Sequence, residues 1–134
     1  MGARLRFEIF PSDIDRTLRF YLDVLAFGVV RDERQADPPY LAMRRDDVHL
    51  GAVSRPPIAD PQARRPPTGV ELVLEVDSID VEHDRISATG WPIIEELTLR
   101  PWDLWDFRLL DPDGYYWRIT ELAPREELRN RGRG

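Results

Sequence analysis

Two tryptophans interleaved with acids, Trp102-Asp103-Leu104-Trp105-Asp106, set flat π-faces beside negative charge. Such a stretch can hold a flat aromatic or cationic ligand through stacking, cation–π attraction and charge pairing. Asp103 and Asp106 are the candidates for charge recognition. Trp91, Phe107, Tyr115, Tyr116 and Trp117 crowd the same region, and all four tryptophans fall between Trp91 and Trp117. Some of these rings must be core, and aromatic residues suit a subunit interface as well as a ligand wall. If Tyr115 to Thr120 is a strand, Tyr116 and Arg118 share one face and Tyr115 and Trp117 the other.

Composition narrows the chemistry further. The chain has 134 residues, no cysteine and no lysine, and its 19 basic residues are all arginine. Thiolate nucleophiles and lysine Schiff bases are therefore excluded. A net charge of −6 and a pI near 4.9 argue against a general phosphate-backbone binder, so no nucleic-acid partner is expected. No apolar run approaches the roughly 18 to 20 residues that cross a bilayer, and Met1-Gly2-Ala3-Arg4-Leu5-Arg6 lacks a signal-peptide core. The expectation is a cytoplasmic protein with no membrane partner.

Hydrophobic patterning supplies the elements that position these residues. Leu5 to Phe10 alternates like a strand, and Ser12 or Asp13 can cap a helix whose apolar positions are Ile14, Leu18, Tyr21, Leu22 and Leu25. Strands at Val29-Val30, Tyr40 to Arg44 and Val48 to Val53 follow, making the first module βαβββ over residues 4–53. Ser54 to Gly69 is proline-rich and reads as an extended or irregular linker. The second module, 70–122, repeats the order: a strand at Val70 to Val76, a helix from Ile79 to about Thr89, a strand at Ile93-Ile94, and a hairpin of Phe107 to Leu110 with Tyr115 to Thr120. Residues 1–124 then form one domain, and 125–134 read as a disordered tail.

The modules echo one another. Ser12-Asp13-Ile14-Asp15 leading to Leu25-Ala26-Phe27-Gly28 recurs as Asp77-Ser78-Ile79-Asp80 leading to Ala88-Thr89-Gly90-Trp91, an offset of about 65 residues. Each half is too small to bury a good core alone.

The helix Asp13-Ile14-Asp15-Arg16 with Phe20-Tyr21-Leu22-Asp23-Val24-Leu25-Ala26-Phe27 resembles the first helix of the vicinal oxygen chelate superfamily, the glyoxalase, bleomycin-resistance and extradiol-dioxygenase group. The family usually has glycine at Ala26. The resemblance continues through Val76-Asp77-Ser78-Ile79-Asp80, Gly90-Trp91-Pro92 and Phe107-Arg108-Leu109-Leu110-Asp111-Pro112-Asp113-Gly114. It implies an α+β fold of two tandem βαβββ modules forming an incomplete barrel with a concave cleft, often assembled as a homodimer. Tyr40 to Leu50 looks like a strand hairpin of the bleomycin-resistance branch.

Metalloenzymes of this group place His, Gln or Glu on the first and last strands of a module. The resemblance maps those slots to Arg6, His49, Glu71 and Arg118, with His49 taken as the counterpart of Arg118. Guanidinium offers no lone pair to a metal. No metal or other cofactor is therefore expected, although a register slip could bring Glu8, Glu75 or Glu121 inward. Glu71 between Arg6 and Arg118 could form an internal ion-pair network, or one arginine could bind a ligand carboxylate, phosphate or enolate. The favoured function is a metal-independent binding protein that sequesters an aromatic or cationic small molecule, a possible antibiotic resistance protein. Its candidate ligand residues are Arg6, Tyr40, His49, Glu71, Trp102, Asp103, Trp105, Asp106, Tyr116 and Arg118. The alternative is a lyase, isomerase or glyoxalase-like enzyme with Glu71 or His49 as base, and a third is an accessory dimer without a ligand.

Overall fold

In the computed structural model, which describes residues 2–55 and 60–122, the chain divides into two compact units. The first comprises Met1–Thr68 with Asp111–Tyr115, and the second Gly69–Leu110 with Tyr116–Gly134. The tail expected at 125–134 lies outside the described residues.

The first unit begins with β1 (Phe7–Ile9) and α1 (Ile14–Asp23), followed by β2 (Gly28–Glu33), β3 (Tyr40–Arg45) and β4 (Val48–Val53). Asp13 caps α1, its carboxylate accepting from the Asp15 and Arg16 amides at 3.2 Å and satisfying two of the first turn's free donors. The helix stops where Phe27 N donates to Tyr21 O and Ala26 takes a left-handed φ of 58°. That conformation favours glycine, the residue usual in the family there. The strand order is β1-β4-β3-β2, with β1 parallel to β4 and the other pairs antiparallel. Ile9, Leu41, Met43, Leu50 and Ala52 alternate onto one buried face, and Phe20, Tyr21, Val24 and Leu25 from the α1 region are buried too.

The turn of the second hairpin belongs to this unit. Asp111 is buried and accepts from the Tyr21 hydroxyl at 2.6 Å and from the Asp113 and Tyr115 amides at 2.9 Å. Asp113 accepts from Ser12 Oγ at 2.6 Å, and Tyr115 Oη from the Phe10 amide at 3.1 Å. The linker is less irregular than its prolines suggest. Residues Pro61–Arg64 form a 3-10 turn, and Arg64 sits 4.0 Å from the Tyr115 ring centre and donates to Asp113 O.

The second unit repeats the order with β5 (Leu72–Val76), α2 (Ile79–Ala88), β6 (Glu95–Leu99), β7 (Trp105–Leu110) and β8 (Tyr116–Glu121), in sheet order β5-β8-β7-β6. The β5–β8 pair is parallel and the rest antiparallel. Both units are thus βαβββ modules, and the fold is α+β. Leu72, Leu74, Phe107, Leu109, Trp117 and Ile119 fill the face toward α2, where His83 meets Phe107 edge-on at 5.1 Å. Ile93-Ile94 is not the strand expected there. Ile94 makes one ladder bond to Arg108 O at 2.8 Å, and the strand proper starts at Glu95. Likewise β7 starts at Trp105, two residues earlier than Phe107.

Candidate functional site

The early start of β7 separates residues that the sequence placed together. Along Trp105 to Leu110 the side chains alternate, so Trp105 shares the face of Phe107 and Leu109, while Asp106 and Arg108 occupy the opposite, helix-free face. Trp105 stands across from Leu99 at the start of β7, an interior strand, and is 42% exposed. Trp102, 52% exposed on the Arg100–Leu104 turn, instead sets its ring 5.8 Å from the Arg118 guanidinium. Asp103 occupies that turn with a φ of 70°.

The helix-free face of the second sheet carries a connected charge network. Arg118 lies opposite Arg108 across β7–β8, and Glu71 lies between them, 3.0 Å from Arg118 Nε and 3.7 Å from Arg108 Nη1. Arg108 continues the chain of contacts to Glu95 at 3.4 Å and Asp106 at 3.3 Å, and Arg100 holds Asp106 at 2.8 Å. Tyr116 Oη accepts from Arg108 at 3.3 Å and donates to Glu95 at 2.9 Å. Burial lowers the charge preference of Arg108, but its bonds to Tyr116 and Asp106 outweigh that and raise its pKa. Tyr116 is also raised, with burial the main cause.

Several expectations change here. Glu71 does sit between two guanidiniums, but the second is Arg108, while Arg6 pairs with Glu8 at 3.2 Å. Asp106 is fully buried with both oxygens engaged, so its charge is satisfied inside the protein. Sequence reasoning missed Arg108, Arg100 and Glu95. The signal for Arg108 was a charge inside the apolar run Phe107-Arg108-Leu109-Leu110; Arg100 lies on a turn and had none.

On the first sheet, Tyr40 Oη lies 3.2 Å from Glu8, and Arg31 stands 5.5 Å from the Tyr40 ring centre. Burial and the Glu8 charge raise the Tyr40 pKa. Gly51 lies opposite Glu8, where any Cβ would run into the Glu8 carboxylate and the Tyr40 hydroxyl. His49 faces Arg44 across the β3–β4 hairpin, and desolvation with Arg4 and Arg44 holds its imidazole below the ordinary range. Strand pairing also corrects its counterpart. Glu8 and Val73 stand equally far before the caps Asp13 and Ser78, and their partners are Gly51 and Arg118. Arg118 therefore matches Gly51, and His49 matches Tyr116. The longer turn 111–115 in the second hairpin, against Asp46-Asp47 in the first, misaligned the count.

Of the candidate residues, Glu71, Trp102, Asp106, Tyr116 and Arg118 come together on the second sheet, with Asp103 on the adjoining turn. Tyr40 and His49 lie on the first sheet with Arg6 just before β1, and Trp105 lies on the other face of the second.

Two tandem βαβββ modules with this sheet order define a paired-module α+β protein. The chain belongs to the Glyoxalase/Bleomycin resistance protein/Dioxygenase superfamily, whose family model matches residues 4–119. Similar structures include a bleomycin resistance determinant encoded on the transposon Tn5 (23% identity, TM-score 0.71, covering 90% of this chain and 98% of that one). A bleomycin-binding protein complexed with bleomycin is 22% identical, with TM-score 0.71 over 91% of this chain and 100% of the other. TnmS3, an antibiotic-binding protein from Streptomyces sp. CB03234, is 21% identical with TM-score 0.69 over 92% and 98%. No curated protein matches the chain.

The superfamily implies a divalent metal at the slots read as Arg6, His49, Glu71 and Arg118. The donor chemistry does not suit one: Arg6 and Arg118 offer no lone pair, and Glu71 is already engaged by two guanidiniums. Nor do the shifted acids converge, because Glu75 pairs with Thr120 and Glu121 with Val76, on opposite faces of the sheet. Among the described residues no three His, Asp or Glu side chains are grouped to hold an ion.

Proposed function

We propose that this protein binds a small, flat aromatic molecule on the helix-free face of the second sheet and sequesters it without a metal ion. The observation that carries this reading is Trp102, a large indole left half exposed at Arg118, on a face where Glu71, Glu95, Asp106 and the arginines pair with one another. A tryptophan at such a site offers stacking area, and the fixed network beneath it lowers the cost of ordering on binding. The names of similar structures, a bleomycin-binding protein and an antibiotic-binding protein, support a drug-like ligand and a role in antibiotic resistance. Binding alone would suffice, since sequestration lowers the free concentration of the compound.

In this reading the chain acts in the cytoplasm as a homodimer. Exposed Val29 and Val30 on edge strand β2, and Leu99 on edge strand β6, support self-association. Sedimentation equilibrium would return the monomer mass if that part is wrong.

Titrating intrinsic fluorescence with bleomycin and a panel of aromatic antibiotics tests the binding reading, with chromatography of the recovered compound. The expected result is quenching with the compound returned intact. Trp102→Ala should weaken binding by about 1–3 kcal/mol, and Trp105→Ala by much less. Equal losses would return Trp105 to the ligand wall, and conversion of the compound would replace sequestration with catalysis.

A further inference from the structure

The three arginines of the charged face are not equivalent. Arg100 is held by Asp106 and Glu95, and Arg108 is shared among Glu71, Glu95, Asp106 and the Tyr116 hydroxyl. Arg118 makes one ion pair, through Nε to Glu71, and one ring contact, to Trp102. Its two terminal nitrogens have no acceptor among the described residues. The side chain is nevertheless only 23% exposed, with the Glu71 carboxylate 3.0 Å from Nε and the Trp102 ring centre 5.8 Å from the guanidinium carbon, though Nε itself has no hydrogen-bond partner among the described residues. Arg118 stands directly across the sheet from Arg108, and Glu71 bridges the two like charges.

We propose that the free fork of Arg118 receives the carboxylate of the ligand, so that the site takes flat aromatic monoacids. Two parallel N–H groups match the two oxygens of a carboxylate, and a guanidinium already held in place loses little freedom on forming both bonds. The ligand's ring then lies alongside Trp102. Charge balance favours a monoanion over a dianion. Arg100, Arg108 and Arg118 share this face with Glu71, Glu75, Glu95 and Asp106, and among the described residues Arg118 has only Glu71 as an ion-pair partner, which it shares with Arg108. A doubly charged group would meet Glu71 and Glu95 at close range. This inference rests on the reading of the second-sheet face as the ligand face.

Calorimetric titration of the full chain with 2-naphthoate, 2-naphthamide and 2-naphthyl phosphate tests it. The naphthoate should bind roughly tenfold more tightly than the neutral amide, and more tightly than the phosphate. Arg118→Met should erase the preference for acid over amide, weakening the acid far more than the amide. Arg118→Lys, which keeps the charge but not the fork, should restore only part of the preference. Thermal melts of both variants show whether they fold, and if the Met variant does not, the Lys variant alone decides: full preference in it overturns the bidentate fork. Equal binding of acid and amide by the wild type overturns the carboxylate site but leaves the ligand face standing. Tighter binding of the phosphate overturns the monoacid class. If no probe binds and none quenches fluorescence, the ligand-face reading falls with the proposal.

Discussion

Asp111 is the residue at which burial and hydrogen bonding oppose each other most plainly. It is 3% exposed and accepts three hydrogen bonds, which favour the carboxylate, yet desolvation outweighs them and pushes its pKa up to about 6. A folded-state pKa above the ordinary 3.8 means that the native protein takes up this proton more readily than the unfolded chain. The contribution of Asp111 to stability is therefore fully present below about pH 4 and is lost as pH rises through about 6, a span of about 3 kcal/mol. Asp111→Asn imitates the protonated form. Urea unfolding between pH 5 and 7.5 should show the wild type losing stability relative to this variant as pH rises, and parallel curves would exclude Asp111 as the source. The Asp-Pro-Asp-Gly turn was legible in the sequence, but the burial of its first aspartate against Tyr21 was not, because Tyr21 lies 90 positions away.

At the scale of elements, local chemistry was most legible where a side chain serves its own backbone. Asp13 and Ser78 cap α1 and α2 as their residue types suggest. The end of α1 carries a conflict, because Ala26 adopts a φ of 58° where an L-residue has steric cost. Ala26 is exposed, so adding or removing its methyl changes little packing. Ala26→Gly should raise unfolding stability by about 1 kcal/mol, read as a higher urea midpoint at unchanged slope. A lower midpoint would mean that the lost entropy of the unfolded chain outweighs the relieved strain. Strand β6 was the least legible element. Glu95 to Leu99 lies at a sheet edge and is mostly exposed, so it needs no strict alternation, whereas the apolar pair Ile93-Ile94 mimics a strand. The same weakness hid the start of β7, and with it the separation of Trp102 from Trp105.

For the whole molecule, the repeat and the membership of the second hairpin bear on cooperativity. Strands β7 and β8 belong to the second unit, while their connecting turn, Asp111–Tyr115, belongs to the first. The chain cannot unfold one unit without disturbing a segment of the other, so a single transition is expected. All four tryptophans lie in the second unit, so tryptophan emission excited selectively over tyrosine follows that unit alone, whereas far-ultraviolet circular dichroism follows both. The two thermal curves should coincide. A fluorescence transition offset from the dichroism curve would show units that unfold separately.

The sequence by itself determined the two βαβββ modules, a cap for α1 at Ser12 or Asp13 and most of the strand alternation, because each depends on contacts within a few residues or on a period that survives in the order of apolar side chains. Alternation also placed Tyr116 and Arg118 together, and opposite Trp117. Tertiary structure alone decided that Glu71 answers to Arg108 as well as Arg118, that Asp106 is buried between Arg100 and Arg108, and that Gly51 matches Arg118. These are matters of strand register and of which opposite charge is nearest. A chain with 19 arginines and 25 acidic residues offers many pairings of equal chemical merit, and only the pairing of distant strands selects among them.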